Sequence, residues 1–230
     1  MDVKMYLVGG YVRDKILGVK SKDMDYSVEA PSYDAMKEEI ERRGGTIFLE
    51  KPEYLTIRAR VPNMGAADFV LCRKDGSYVD GRRPEDVEPG TLMDDLARRD
   101  FTMNAIAMDE DGNYIDPHGG QADIERRLIC CVGDAEDRFE EDHLRMLRAI
   151  RFAITKDMYL SPKIVELFDD TFMVDKIALI AIERVREEML KCFHCNTLDT
   201  LKRLERFSHL REVLFSMDCG GLWLKPTLEN

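Results

Sequence analysis

The chain lacks any long apolar run. None approaches the roughly 20 residues needed to cross a bilayer, so a membrane-spanning protein is not expected. The first residues, Met1-Asp2-Val3-Lys4, lack the charged, apolar and small-residue regions of a secretory signal. There is no internal repeat and no low-complexity linker, which excludes solenoids and disordered tethers. An excess of basic charge is missing too: 34 Lys and Arg stand against 45 Asp and Glu, a formal net charge of −11. Broad, nonspecific nucleic-acid binding needs a basic face, and an acidic chain can offer only a local basic cleft. Tryptophan occurs once and histidine four times. The six cysteines (72, 130, 131, 192, 195 and 219) sit in a long chain without an export signal, so free thiols and a cytoplasmic location are expected.

What is present suits a globular chain of one large or two small domains: 230 residues, 44% hydrophobic and 34% charged. The N-terminal half alternates strand and helix patterns. Tyr6 to Val8 is a short apolar run ending in Gly9-Gly10, and Val12 to Leu17 reads as a helix stopped at Gly18. Asp23 to Glu29 alternates polar and apolar residues like a half-buried strand. Ser32 to Arg43 is helical, with Gly44-Gly45 as its stop. Leu55 to Val61 and Ala67 to Cys72 read as strands, and residues 73–90, rich in Gly, Pro and charge, as a mobile loop. From Asp134 the pattern is helical. Asp134 caps a helix carrying Phe139, Leu144, Leu147 and Ile150, and Ser161-Pro162 starts another. Long helices follow over 177–193 and 197–207. The expected domains are therefore a mixed α/β head over 1–135 and a helical part over 136–230.

Asp23 and Asp25 carry the strongest chemical signal. Residues two apart on a strand point to one face, and two carboxylates there can converge on a hard divalent cation such as Mg²⁺. Asp68, in a later strand, supplies a third carboxylate for a two-metal site. Gly9-Gly10 opens a turn before a helix, where backbone N–H groups can approach phosphate oxygens, and Arg13 follows on that helix to pair with a phosphate. A phosphate cradle followed by a carboxylate pair is the layout that nucleotidyl transfer needs. Asp142 and Arg145, three apart in the expected helix, offer an acceptor beside donors. Cytosine and adenine each present an amino donor next to a ring-nitrogen acceptor, whereas uracil and guanine do not. One Asp-Arg pair can thus take C and A while leaving U and G with unpaired polar groups. Arg148 follows at the same spacing and stays near the nucleotide, while Arg151 drifts around the helix.

Several ordered stretches together resemble the class II tRNA nucleotidyltransferase and bacterial poly(A) polymerase family. They are Leu7 to Asp14 (LVGGYVRD) with Leu17-Gly18 and Asp23-Met24-Asp25; Asp68 within Ala67 to Arg73; Tyr78 to Pro84; Asp95 to Ala105 (DLARRDFTMNA); Asp116 to Gly120 with Asp123; Glu141 to Arg145 continuing to Arg151-Phe152; and Glu183-Arg184. The resemblance covers roughly residues 6 to 190. It implies an α+β fold: a polymerase-β-like head of mixed sheet and helices, followed by a helical neck and short body. It implies Asp23, Asp25 and Asp68 as catalytic residues, with Asp23 and Asp25 as ligands of Mg²⁺ or Mn²⁺. Gly9, Gly10, Arg13, Arg99, Asp100, Asn104, Asp142, Arg145, Arg148 and Arg151 are implied to bind the nucleotide, with Asp100 and Asn104 near its sugar. The implied reaction is addition of C and A from CTP and ATP to the 3′ end of tRNA. A-only addition, poly(A) synthesis and transfer to a non-RNA acceptor are the alternatives. Leu55 stands where such proteins often carry Gly, and Ala181 where they carry a small polar helix cap. The chain ends soon after the neck, so RNA affinity is open and dimerisation is one way to supply it. Cys192-Phe193-His194-Cys195 lacks a second ligand pair and is not expected to bind zinc. Trp223 is expected to anchor the tail.

Overall fold

The computed structural model describes residues 3–21, 23–75 and 87–216. The expectations for Tyr78 to Pro84, Cys219 and Trp223 lie outside the described residues. The chain divides into two compact units, Met1–Arg126 and Arg127–Asn230. No described helix is long and apolar enough to cross a membrane.

The first unit runs β1 (Lys4–Val8), α1 (Gly10–Ile16), β2 (Met24–Glu29), α2 (Tyr33–Arg42), β3 (Thr46–Lys51), β4 (Thr56–Val61), β5 (Gly65–Leu71), β6 (Arg73–Asp75), β7 (Val87–Pro89), α3 (Leu92–Ala97), β8 (Ala107–Met108), β9 (Tyr114–Ile115) and α4 (Gly120–Glu125). A mixed seven-stranded sheet has the order β3-β4-β5-β2-β1-β8-β9. Only its β2–β5 pair is parallel; the other neighbours are antiparallel. Alternation splits each central strand into two faces. Tyr26 and Val28 of β2, Ile57, Ala59 and Val61 of β4, and Ala67, Phe69 and Leu71 of β5 are buried with Met36 and Ile40 of α2 in one apolar cluster. Tyr26 and Phe69 stack there with ring centroids 5.0 Å apart.

Local chemistry sets the ends of the elements. Ser32 caps α2 by accepting from the Ala35 N–H at 3.1 Å. Thr91 and Asp94 form a reciprocal capping box at the start of α3. Leu55 stands at φ 55°, ψ 34°, the left-handed region that favours glycine. Residues 73–75 and 87–89 pair as a two-stranded antiparallel ribbon, so the ends of the segment read as a mobile loop are ordered by pairing. Gly120 is required by packing, because a Cβ there would lie 2.2 Å from the Thr102 carbonyl oxygen.

The second unit contains β10 (Leu128–Ile129), α5 (Ala135–Glu141), α6 (Leu144–Thr155), β11 (Tyr159–Leu160), α7 (Pro162–Asp169), α8 (Thr171–Asp175), α9 (Ile182–Cys195), α10 (Thr197–Arg206) and α11 (Ser208–Phe215). Residues 127–135, expected in the head, lie in this unit, where β10 pairs in parallel with β11. Asp134 caps α5, accepting from the Glu136 N–H at 2.8 Å, and Ser161 caps α7. The single helix expected beyond Asp134 is two helices, with the break at Asp142-His143. The helix expected over 177–193 begins only at Ile182, preceded by a 3₁₀ turn at Lys176–Leu179; Ala181 supplies no side-chain cap. Phe139, Phe168 and Phe207 are buried and form a run of aromatic contacts.

Two outcomes follow for stability. Gly120→Ala forces a backbone clash and should destabilise the protein by about 3 kcal/mol, read as a lowered urea midpoint at unchanged slope. Glu39 accepts from Arg42 and Arg43 at 2.7 Å, and those bonds hold its carboxyl down to about 2. A depressed carboxyl gives stability that is present above its unfolded value, near 4.5, and lost as pH falls toward 2. Glu39→Gln should therefore cost about 1 kcal/mol at pH 7, given the exposure of Arg42, and the gap to wild type should narrow in thermal melts below pH 4.5.

Candidate active site

The face of the sheet opposite the apolar cluster carries the carboxylates. The parallel β2–β5 register sets Asp25 beside Asp68, and the antiparallel β4–β5 register sets Arg58 beside Asp68. Arg58 Nε lies 3.6 Å from Asp68 Oδ1. Burial raises the Asp25 carboxyl above the usual carboxylate range, and the charges of Asp68 and Asp23 push the same way against Arg99 and Arg58. Asp23 is exposed and precedes the first paired residue, Met24, so strand alternation does not orient it as expected. The β2 pairings with β1 and β5 start at Asp25 and Met24 and leave nothing to extend the strand further. Among the described residues no three acidic, His or Cys side chains form a ready metal cage. The mutual repulsion of oxygen donors around Asp25 is nevertheless what a hard divalent cation relieves, so the donor set fits one.

A buried polar network lies on this same face. Ser27, two residues beyond Asp25, donates to Asp95 Oδ2 at 2.7 Å. Arg99 donates to the same Asp95 oxygen at 3.0 Å and to Ser27 Oγ at 3.2 Å, and Arg98 binds Asp95 Oδ1 at 2.5 Å. Asp95 is only 1% exposed. Burial alone would raise its carboxyl, but the Arg99 and Arg98 charges and the Ser27 hydroxyl hold it below the usual range. Arg99 also donates to the Asn104 carbonyl at 3.1 Å, while its Nε is buried without a partner among the described residues. The Asn104 side chain accepts from Arg13 at 2.7 Å and donates to Asp100 at 3.0 Å. Arg13 pairs in turn with Asp14.

Gly9 joins this network through its backbone. It has φ 65°, and a Cβ there would stand 3.1 Å from Arg99 Nη1, so glycine lets the turn lie against the guanidinium. Gly10 is the first residue of α1. The structure thus gathers Gly9, Gly10, Arg13, Arg99, Asp100 and Asn104 in one network. Ser27 and Asp95, to which the sequence reading gave no role, hold it together. The i, i+3, i+4 spacing of Asp95, Arg98 and Arg99 was the available signal.

In the second unit Asp142 departs from expectation. It has φ −150°, ψ 103°, and stands in the break between α5 and α6, not on a helix beside Arg145. Its Oδ1 accepts from the Leu144 N–H at 3.1 Å, capping α6, and its Oδ2 pairs with Arg184 at 3.1 Å. The capping bond competes with continued helix and explains the break. Arg145 donates to Glu141 at 2.6 Å and to the Arg138 carbonyl at 3.1 Å. Arg148 lies 5.5 Å from the centre of the Phe152 ring. Arg151 lies 3.9 Å from the same ring and binds the buried Glu188 at 2.5 Å, tying α6 to α9.

Residues 5–130 match the poly A polymerase head domain family. The chain belongs to that family. The match contains the carboxylates and the Arg13–Asn104–Arg99 network and ends before Asp142. The CCA-adding enzyme of Geobacillus kaustophilus (strain HTA426) is 41% identical over 192 residues, which is 81% of this chain and 44% of that protein. The CCA-adding enzyme of Bacillus cereus (strain AH187) is 36% identical over 208 residues, 89% of this chain and 51% of that one. The chain spans about half the length of these curated relatives. Among solved structures, Bacillus stearothermophilus CCA-adding enzyme in complex with CTP superposes with a TM-score of 0.75 at 34% identity, over 89% of this chain and 48% of that chain. A tRNA nucleotidyltransferase complexed with a primer tRNA and an incoming ATP analog gives 0.74 at 29%, over 92% and 59%.

Arg98 and Arg99 both take counter-charge from Asp95. Asp95→Asn should destabilise the protein by about 3 kcal/mol, because two largely buried guanidiniums lose a shared counter-charge. Denaturant unfolding reads the loss, and a change within about 0.5 kcal/mol would contradict the assignment.

Proposed function

We propose that the chain is a template-independent nucleotidyltransferase that adds C and A from CTP and ATP to the 3′ end of tRNA. The observation that carries this reading is the Asp25–Asp68 pair, set side by side by the parallel β2–β5 register in a poly A polymerase head domain. The names of the relatives support the choice of nucleotides and acceptor.

In this reading the terminal 3′-oxygen attacks the α-phosphorus in line; the new P–O bond forms as the bond to pyrophosphate breaks. Asp23, Asp25 and Asp68 would hold Mg²⁺ or Mn²⁺, which when bound lowers the charge of the triphosphate and favours the alkoxide form of the attacking hydroxyl. Gly9 and Gly10 present backbone to the phosphates, and Arg13 and Arg99 place positive charge there. Asp100 and Asn104, bonded to each other at 3.0 Å, orient the sugar. Asp142 and Arg145 read the base, with Arg184 and Glu141 setting their orientation; Arg148 contributes charge near the nucleotide. Arg151 takes a positioning role through Glu188. Positioning and charge neutralisation do most of the work in this kind of transfer. Cys72, Cys192 and Cys195 are free thiols, which suits a cytoplasmic enzyme.

The test is extension of labelled tRNAs ending before CCA, after C and after CC, with Mg²⁺ and single nucleotides. Ordered addition of C, C and A followed by arrest is expected. Asp25→Asn should lower the rate by at least about 10³-fold while leaving the fold intact. Asp142→Ala should admit UTP and GTP. Addition of A alone or of long A tails would move the product to an A-adding or poly(A) enzyme, and no incorporation on any of these RNAs would overturn the acceptor.

A further inference from the structure

The face of the head sheet that carries Tyr26 holds a cavity of about 630 Å³, on the opposite side from Asp25. Its floor is Met5 and Leu7 of β1, Tyr26 of β2, Val61 of β4, Met64 of the β4–β5 turn and Met108 of β8. Leu7 and Tyr26 are register partners, as are Val8 and Asp25 one residue along, so the strands that present the carboxylates on one face build this cavity on the other. The volume is that of a small-molecule pocket. Three thioethers and a ring give it an adaptable apolar surface.

Tyr26 marks the cavity as more than a packing gap. It is 6% exposed and lines the cavity, with its ring fixed by stacking on Phe69 at 5.0 Å. Its hydroxyl makes no hydrogen bond among the described residues and is not one of the sealed, unpaired buried atoms, so it opens onto the cavity. Burial, then the charges of Tyr11 and Glu110, raise its pKa, so it is a neutral phenol able to donate and accept.

The rim selects charge. Arg43 pairs with Glu110 at 2.5 Å and with Glu39 at 2.7 Å, so it is already neutralised. Lys15 reaches the Met108 sulfur at 3.1 Å. Asp109 and Asp111 add two further carboxylates, and hydrogen bonds from Asn113 keep Asp109 ionised. With Arg43 and Glu110 paired with each other, Asp109 and Asp111 stand against the one remaining base, Lys15, around an apolar floor with one hydroxyl open to the cavity.

We infer that this cavity binds a small organic amine with an aromatic or aliphatic body, independently of the nucleotide. The body lies on Met5, Leu7, Met64 and Met108, a polar atom of the ligand pairs with the Tyr26 hydroxyl, and the ammonium faces Asp109 and Asp111.

Tryptamine and indole-3-acetate, which share a ring and differ in charge, test this by calorimetric titration of the full chain with saturating CTP present. Saturable binding of tryptamine, tighter than that of indole-3-acetate, is expected. Tyr26→Phe keeps the ring stack and should weaken tryptamine about fivefold, the effect of one hydrogen bond. Asp111→Lys, on the exposed rim, should narrow or reverse the preference between the two probes. Tighter binding of the acid by wild-type protein would overturn the amine class. Absence of saturable binding, loss of binding when CTP is added, or affinity unmoved in both variants would overturn the site.

Discussion

The parallel pairing of β2 with β5 is the constraint on which the head domain depends. Every other neighbouring pair in the seven-stranded sheet is antiparallel, and this one exception fixes two faces at once. On one face it sets Asp25 next to Asp68; on the other it stacks Tyr26 on Phe69 and starts the apolar cluster beneath α2. A slip of one residue would exchange the faces and put carboxylates into that cluster. Burial of Val28, Phe69 and Leu71 therefore holds Asp25 where desolvation first, and the Asp68 charge second, raise its carboxyl. The apolar core and the electrostatics of the candidate site are consequences of one register.

The second layer of control is the Asp95 network. A carboxylate 1% exposed is costly unless it is paired, and Arg98, Arg99 and Ser27 pair it on both oxygens. Arg99 is thereby held against the Gly9 turn while still bonded to the Asn104 carbonyl. The residues proposed to contact the nucleotide are thus positioned by residues that do not.

Much of this was legible in the sequence where local chemistry acts alone. The Gly9-Gly10 turn, the Asp134 cap, the Ser161-Pro162 start and the alternation of β2 all rest on short-range rules, and the structure contains each. What escaped depends on distant partners. β3 has mostly exposed side chains, Phe48 and Leu49 among them, and exists because β4 pairs with it; no burial period marks it. The β6–β7 ribbon joins residues 73–75 to 87–89 across a Gly- and Pro-rich stretch whose composition reads as loop. Apolar spacing ran smoothly through Asp142, because nothing local shows that its carboxylate turns back to cap Leu144 and pairs with an arginine 42 positions later. The metal ligation expected of Asp23 could not be read from alternation, since the strand begins one residue after it.

The break at Asp142 makes α5 and α6 two short rods with a joint between them. In a continuous helix the direction of Arg145 would be set by the whole rod, and redirecting it would mean moving every side chain packed along that rod. With a joint, the backbone torsions of two residues set the angle at which α6 leaves α5. The Asp142 carboxylate that caps α6 and grips Arg184 also acts as the set-screw of that joint. Hinge and proposed base reader are then one residue, so an altered base preference and an altered helix angle cannot be separated by changing Asp142 alone.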